Sequence, residues 1–135
     1  RAIYDEGRHA FQISSVEENT ENILAIVELV RLHCGSKPIV FTLSPVPLIA
    51  THRTDVTCMV ADSVSKSILR VAIDQVMRRR LDGVYYWPSF EIVRWASSHA
   101  AYRAFGDDDG APRHVNENHV DAIIDAFTEH FFYAD

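Results

Sequence analysis

The order of hydrophobic and polar positions along the chain predicts helices separated by two short strands. Ser15 and Glu18 have the spacing of a capping box, which predicts the start of a helix. That helix should run to about Cys34, because Gly35 is a typical helix-ending residue. Its apolar positions form a stripe too wide for a surface helix, so we expect most of it to be packed. These positions are Ile23, Leu24, Ile26, Val27, Leu29 and Val30.

The stretch 38–43 is apolar and β-branched without alternation, which is typical of a central strand in a parallel sheet. Two prolines in the segment Ser44-Pro45-Val46-Pro47 prevent further strand pairing. The next helix should begin with Asp62 or Ser63 as its cap and reach about Arg80. The chain thus passes from a helix to a strand and back to a helix.

A second strand, Val84-Tyr85-Tyr86-Trp87, is predicted after the turn Asp82-Gly83. Another helix follows from Pro88, and a last one begins near Asn116 after a loop at 106–113. Alternating helices and strands are typical of an α/β fold, a parallel sheet covered by helices. Since only two strands are visible, we expect the missing ones upstream of Arg1 or in a partner chain.

Composition and charge limit the classes of function. The 135 residues are 47% hydrophobic and 24% charged, as in globular domains. A net charge of -6 argues against a nucleic-acid partner. The sequence contains no apolar run of about 18 residues, so we predict no membrane span. Cys34 and Cys58 lack metal-ligand spacing and are expected to be buried free thiols, which favours a cytoplasmic protein. We predict no metal and no cofactor.

Three segments are candidates for one functional site. Ligands of open α/β sheets bind beyond the carboxyl ends of the strands. The segments 44–48 and 86–91 should both emerge at that edge, and the loop with Arg113 and His114 can reach it. We therefore predict that these three segments converge.

Four segments, in order, resemble the successive signatures of the GSCFA domain family. They are Ser44-Pro45-Val46-Pro47-Leu48, Ser65-Lys66-Ser67 with Leu69, Tyr86-Trp87-Pro88-Ser89-Phe90-Glu91-Ile92-Val93, and Arg113-His114. The likeness extends from about Phe11 to Phe131. The family is related to the SGNH-type esterases and lipases. The resemblance therefore implies a three-layer SGNH- or flavodoxin-like parallel sheet with flanking helices, as a single partial domain over residues 1–135, and a serine hydrolase or acyltransferase ancestry.

The sequence departs from the family pattern at two places. The Gly-Ser-Cys-Phe-Ala stretch, whose serine corresponds to the SGNH nucleophile, does not occur in these residues. The SGNH pattern also ends in Asp-x-x-His, and if His114 is that histidine, Ala111 takes the aspartate position. Asp109 and Asp108 are the nearby carboxylates that could orient the ring instead.

His114 is the leading catalytic candidate, because a neutral imidazole near pH 7 suits general-base work. The alternative is a loop histidine that caps the last helix. Ser44 is a poor nucleophile because it precedes a proline and no helix follows at once. We expect Ser44 and Pro45 to line the substrate pocket, with Glu91 close to them near a helix start.

Two other patterns favour a structural interpretation. Ser63-Val64-Ser65-Lys66 matches Ser-x-x-Lys, but the companion motifs of penicillin-binding proteins are absent, so we expect Lys66 to pack its stem and expose its head. His114 and His119 are five residues apart, which argues against a metal site on one helical face.

We therefore expect a GSCFA-type hydrolase or acyltransferase acting on a small-molecule or glycan ester, with its serine nucleophile outside this chain. The alternative is a non-catalytic α/β assembly or dimerisation module. In both cases we expect a homo-oligomer, because an incomplete sheet exposes an edge and an apolar face.

Overall fold

The computed structural model describes residues 7–8, 10–106 and 112–133. Within them the chain is a mixed α/β protein in which helices and strands alternate as predicted. The elements are α1 Val16–Cys34, β1 Ile39–Thr42, α2 Cys58–Met77, β2 Val84–Trp87, α3 Ser89–Trp95, a 3₁₀ helix Ala96–His99, and α4 Glu117–Phe132.

The two strands pair in parallel, with Ile39 opposite Val84 and Thr42 opposite Trp87. Helix α2 connects them, as a parallel pair requires a crossover connection. Among the described residues the sheet has these two strands. Both strands end at the same edge, where the segments after Thr42 and Trp87 begin.

The buried core lies between α1, α2 and one face of this sheet. Its centre consists of Ile23, Leu43, Ala72, Ile73 and Val76, with Phe41 and Tyr86 packed against it. Neighbouring strand residues face opposite sides. Tyr85 and Trp87 accordingly contact aromatic rings of α4, and the Trp87 and Phe127 ring centroids are 5.4 Å apart.

Helix α1 begins with the predicted capping box. The Ser15 hydroxyl accepts a hydrogen bond from the Glu18 amide at 3.1 Å, and the Glu18 carboxylate accepts one from the Ser15 amide at 2.7 Å. Gly35 ends the helix with a φ of 72°, a conformation that residues with a Cβ rarely adopt. Both ends of the predicted helix are confirmed.

The prediction that most of α1 is packed was wrong. Thr20, Ile23 and Val27 are buried, whereas Ile26, Leu29 and Leu32 are exposed, with Leu32 75% accessible. In the described part of the chain, α2 and the core cover one side of this helix and leave the rest of the apolar stripe uncovered.

The predicted start of α2 was also wrong. The helix begins at Cys58, and its cap is Thr57, whose hydroxyl accepts a hydrogen bond from the Val60 amide at 3.4 Å. Asp62 lies inside the helix and is buried. Its carboxylate binds groups outside the helix, which explains why an apparent capping residue occurs in the second turn.

Neither cysteine is a buried thiol. Both are free as predicted, but Cys34 is exposed at the end of α1 and Cys58 is half-buried at the start of α2. The Cys58 thiol donates to the Leu48 carbonyl at 3.4 Å. All of residues 31–34, the last turn of α1, are exposed, so the apolar neighbours of Cys34 in the sequence do not bury it. In the described ranges, none of the helices has the length and apolar character needed to cross a membrane.

Candidate functional site

The carboxyl edge of the sheet joins the segment after β1 to the start of α3. The hydroxyl groups of Thr42 and Ser89 are hydrogen-bonded, and Ser89 Oγ also donates to the Leu43 carbonyl at 3.3 Å. The structure therefore brings two of the three predicted segments, 44–48 and 86–91, to one edge.

An ion pair between α2 and α3 holds the segment after β1 in place. Arg94 Nη2 donates to Asp62 Oδ2 and to the Pro45 carbonyl, each at 3.0 Å. The other carboxylate oxygen of Asp62 accepts from the Leu48 amide at 2.9 Å. Both ends of the Ser44–Leu48 segment are thus fixed by one buried carboxylate and one guanidinium.

Sequence reasoning missed the role of Asp62 and did not single out Arg94. A signal for Asp62 was present, because it follows Ala61 on the packed side of α2 and a buried carboxylate must find a partner. Nothing in the pattern of the sequence identified that partner.

Ser44 lies on the surface directly after the buried Leu43. Its hydroxyl accepts a hydrogen bond from the Val46 amide at 3.3 Å, a local turn contact. The chain continues as a loop until Cys58, so no helix begins behind this serine as in a nucleophile elbow. Ser44 and Pro45 can line a pocket at this edge, which stays a prediction.

Glu91 joins three elements through its two carboxylate oxygens. Oε1 accepts from Arg70 Nε at 2.6 Å, and Oε2 accepts from the Tyr86 hydroxyl at 2.7 Å. The Arg70 guanidinium also lies 4.5 Å from the centre of the Tyr86 ring. Burial, together with the Glu91 carboxylate, raises the pKa of Tyr86 well above its usual range, so the phenol remains a donor. Both oxygens already have partners, and contact of Glu91 with substrate stays a prediction.

His114 is exposed and precedes α4. Its carbonyl accepts from the Gly106 amide at 2.9 Å, next to an isolated antiparallel bridge between Phe105 and Val115. The ring of Phe105 lies 5.6 Å from Arg94 Cζ. The backbone of His114 thus pairs with the segment whose Phe105 ring faces the guanidinium that binds the Pro45 carbonyl.

The cap of α4 is Asn116, whose side chain accepts from the Asn118 amide at 3.0 Å. His114 is therefore not the capping residue of this helix. Asp108 and Asp109 lie outside the described residues, so their predicted role in orienting His114 stays a prediction. His119 is buried beside Tyr102, with ring centroids 4.6 Å apart. No group of metal-binding side chains occurs in the parts of the chain that the structure describes.

A cavity of about 300 Å³ opens next to the Ser44–Leu48 segment. Its walls are mostly apolar and come from α2, the loop after β1 and the stretch before α1. They include Phe11, Ile13, Leu48, Val64, Ile68 and Leu69. Leu48 therefore belongs both to the segment at the sheet edge and to this cavity, which we call the apolar cavity.

These features define a mixed α/β protein with a candidate site at the carboxyl edge of a parallel strand pair. The chain matches the model of the GSCFA family over residues 4–127, and it belongs to this family. The resemblance seen in the four sequence segments is confirmed. Neither a curated protein nor a solved structure matches the chain.

Proposed function

We propose that this chain is the histidine-bearing part of a GSCFA-type, SGNH-like hydrolase or acyltransferase domain that acts on an ester. The ester is that of a small molecule or of an acylated glycan. Family membership over residues 4–127 is the observation that carries the proposal. We further propose that the two described strands belong to a larger parallel sheet, which is the central layer of a three-layer, SGNH-like fold.

In the proposed reaction, His114 takes the proton of a serine hydroxyl as that oxygen attacks the ester carbonyl. The bond to the leaving alcohol then breaks, and the imidazolium returns the proton to the alcohol oxygen. Water in hydrolysis, or another alcohol in acyl transfer, attacks the acyl-serine by the reverse proton path. Asp108 or Asp109 orients the imidazole, as the carboxylate of a triad does. The serine comes from outside the present 135 residues.

Two contacts support the placement of His114 at the site. Its backbone is joined to the Gly106 amide, and the neighbouring Phe105 ring packs near Arg94. Arg94 in turn binds the carbonyl of Pro45 at the carboxyl end of β1. The apolar cavity beside Leu48 supplies a volume of about 300 Å³ for an acyl chain.

The test treats the natural gene product, whose intact mass is measured first, with a fluorophosphonate. This reagent labels activated serines. Peptide mapping should place the label on a serine outside these 135 residues, and His114→Ala should abolish labelling. His33→Ala is the matched control, because His33 is an exposed histidine in the last turn of α1. Absence of any labelled serine would overturn the hydrolase proposal, and a label on Ser44 would overturn the assignment of the nucleophile.

One observation favours the alternative of an assembly module that forms homo-oligomers. Ile26, Leu29 and Leu32 are exposed on α1, and each described strand has one unpaired edge. Uncovered apolar side chains and strand edges are surfaces that proteins usually cover. A second copy of the chain could cover them without any catalytic role. Absence of serine labelling together with a stable oligomer would support this alternative.

A further inference from the structure

A second cavity, of about 340 Å³, lies between α2 and α3. We call it the lysine cavity, because Lys66 is one of its walls. Its other walls include Ser63, Ser67, Arg70, Phe90, Arg94 and Trp95. Three cationic side chains, two hydroxyl groups and the carboxylate of Asp62 therefore surround one space. The segment Ser65-Lys66-Ser67 resembles a signature of the family, and the proposed reaction assigns it no role.

The cationic groups of this cavity differ in their partners. Arg70 is paired with Glu91 at 2.6 Å, and Arg94 is paired with Asp62 at 3.0 Å. Lys66 has no hydrogen bond and no ion pair with the residues that the structure describes. Asp62 in the wall and Glu91 behind Arg70 together offset two of the three cations, which leaves one cation in excess.

The environment of Lys66 disfavours its charge in the free protein. Burial, together with the nearby Arg94, lowers the pKa of Lys66, although Asp62 acts in the opposite direction. Desolvation of an ammonium without a partner costs free energy, and an anion beside it removes part of that cost. Binding of an anionic ligand would thus stabilise the charged form of Lys66.

Trp95 gives the cavity an apolar wall beside these charges. It ends α3 and is 72% exposed, while the neighbouring wall residue Val71 is 46% exposed. An indole ring that stays in solvent offers a large flat surface to a ligand at a small entropic cost. A ligand that fits the cavity would therefore combine an anionic group with a ring or another flat surface that packs against the indole.

We propose that the lysine cavity binds an oxyanion carried on a sugar ring, either a uronate or a sugar phosphate. The ammonium of Lys66 donates to the oxyanion, and the indole of Trp95 packs against the ring. Asp62 and Glu91 do not repel this ligand strongly, because their carboxylates are already paired with Arg94 and Arg70. The choice of a sugar as carrier rests on the proposed action on a glycan, and it names an acidic glycan as the substrate class.

The experiment uses the fact that the chain has two lysines, Lys37 and Lys66. With ¹³Cε-labelled lysine, two NMR signals report the two side chains separately. Glucuronate, glucose 6-phosphate, glucose and inorganic phosphate are titrated into the chain. We expect either or both charged sugars to shift the Lys66 signal and to raise the pKa of Lys66, while the Lys37 signal stays in place. The charged sugar that binds more tightly identifies the source of the oxyanion.

The variants separate the two contacts. Lys66→Gln should weaken binding of the charged sugar about tenfold or more, since a hydrogen bond to a charged group is lost. Trp95→Ala should weaken it about fivefold, measured by calorimetry, because the indole contact is lost. Lys37→Gln is the matched control and should bind as the unchanged chain does. Circular dichroism should show all three variants folded.

Three results would overturn the proposal: Lys66→Gln binding as tightly as the unchanged chain, glucose binding as tightly as the charged sugars, or inorganic phosphate binding as tightly as glucose 6-phosphate. None of these measurements uses ester turnover. A failure of the hydrolase proposal therefore leaves this test valid, and a failure of this test leaves serine labelling unaffected.

Discussion

Arg94 and Asp62 form a 3.0 Å ion pair although they are 32 positions apart in the sequence. The Asp62 side chain is 8% exposed, and that of Arg94 is 31% exposed. The same guanidinium nitrogen binds the carbonyl of Pro45. This pair therefore connects α2, α3 and the segment after β1, and the candidate site depends on it.

Replacement of Arg94 by glutamine should destabilise the fold by about 1.5–3 kcal/mol, the range for a hydrogen bond to a charged group. The reason is that the nearly buried carboxylate of Asp62 loses its cation while it remains shielded from water. Urea unfolding followed by circular dichroism measures the change in the free energy of unfolding.

Arg78→Gln is the matched control for this substitution. Arg78 also forms an ion pair, with Asp74 at 2.6 Å, but both side chains are largely exposed at the C-terminal end of α2. Its loss should cost about 0.5 kcal/mol or less, as expected for an i,i+4 surface pair. Equal effects of the two substitutions would contradict the role assigned to Arg94.

The hydrogen bond between Tyr86 and Glu91 predicts a dependence of stability on alkaline pH. The fold raises the pKa of Tyr86 through burial and through the Glu91 carboxylate. A raised pKa in the folded state means that this contribution is complete below the pKa of the unfolded tyrosine, about 10. It is then lost as the pH rises toward the folded value, because the unfolded chain ionises first.

The free energy of unfolding should therefore fall between about pH 9.5 and pH 11, and Tyr86→Phe should reduce the slope. Tyr85→Phe serves as the control, since the structure gives the Tyr85 hydroxyl no hydrogen bond with a described residue. Urea midpoints at several pH values give the slopes. An equal slope in Tyr86→Phe and in the unchanged chain would refute this assignment.

Local signals in the sequence predicted the elements well. The capping box of Ser15 and Glu18, the turn before Val84 and the start of the last helix near Asn116 each depend on residues a few positions apart, and each occurs where it was predicted. The predicted α2 start failed because Asp62 resembles a cap, whereas its carboxylate binds Leu48 and Arg94. Contacts between residues far apart in the sequence determine whether such a residue caps a helix, and hydrophobic periodicity gives no information on these contacts.

The candidate site was predictable only in part, for the same reason. The sheet rule brought the segments 44–48 and 86–91 to one edge, and the hydrogen bonds of Ser89 with Thr42 and Leu43 join them there. The network of Arg70, Tyr86 and Glu91 was not predictable, since it depends on the rotation of α2 against β2. The exposure of α1 also contradicted its pattern, because periodicity shows which side chains are apolar and not what covers them.

The exposed apolar residues of α1 predict that the chain self-associates. At high micromolar concentration, light scattering should give a mass above that of a 15.3 kDa monomer. Leu32→Glu should weaken the association about tenfold or more, because it places a charge in an apolar contact. Leu32 is 75% exposed, so the substitution should leave the folded monomer intact.

Ala126→Glu is the control for the added charge, because Ala126 is exposed on α4, away from α1. It should associate as the unchanged chain does. A monomer of the unchanged chain at high micromolar concentration would contradict self-association, and an oligomer insensitive to Leu32→Glu would exclude this face of α1 as the interface.

The chain by itself should show no serine-dependent esterase activity. Ser44 is the serine at the sheet edge, but its hydroxyl makes a local contact with the Val46 amide and no helix starts behind it.

The chain has seven histidines, and exposed imidazoles hydrolyse p-nitrophenyl acetate slowly without any serine. We therefore expect a weak hydrolysis rate that changes less than about twofold in Ser44→Ala. In His114→Ala the rate should fall only by the part that one of the seven imidazoles contributes. A loss of about tenfold or more in Ser44→Ala, with the fold intact by circular dichroism, would mean that this chain carries its own nucleophile. The mechanism would then have to place the attacking oxygen on Ser44 and not on a serine from outside the chain.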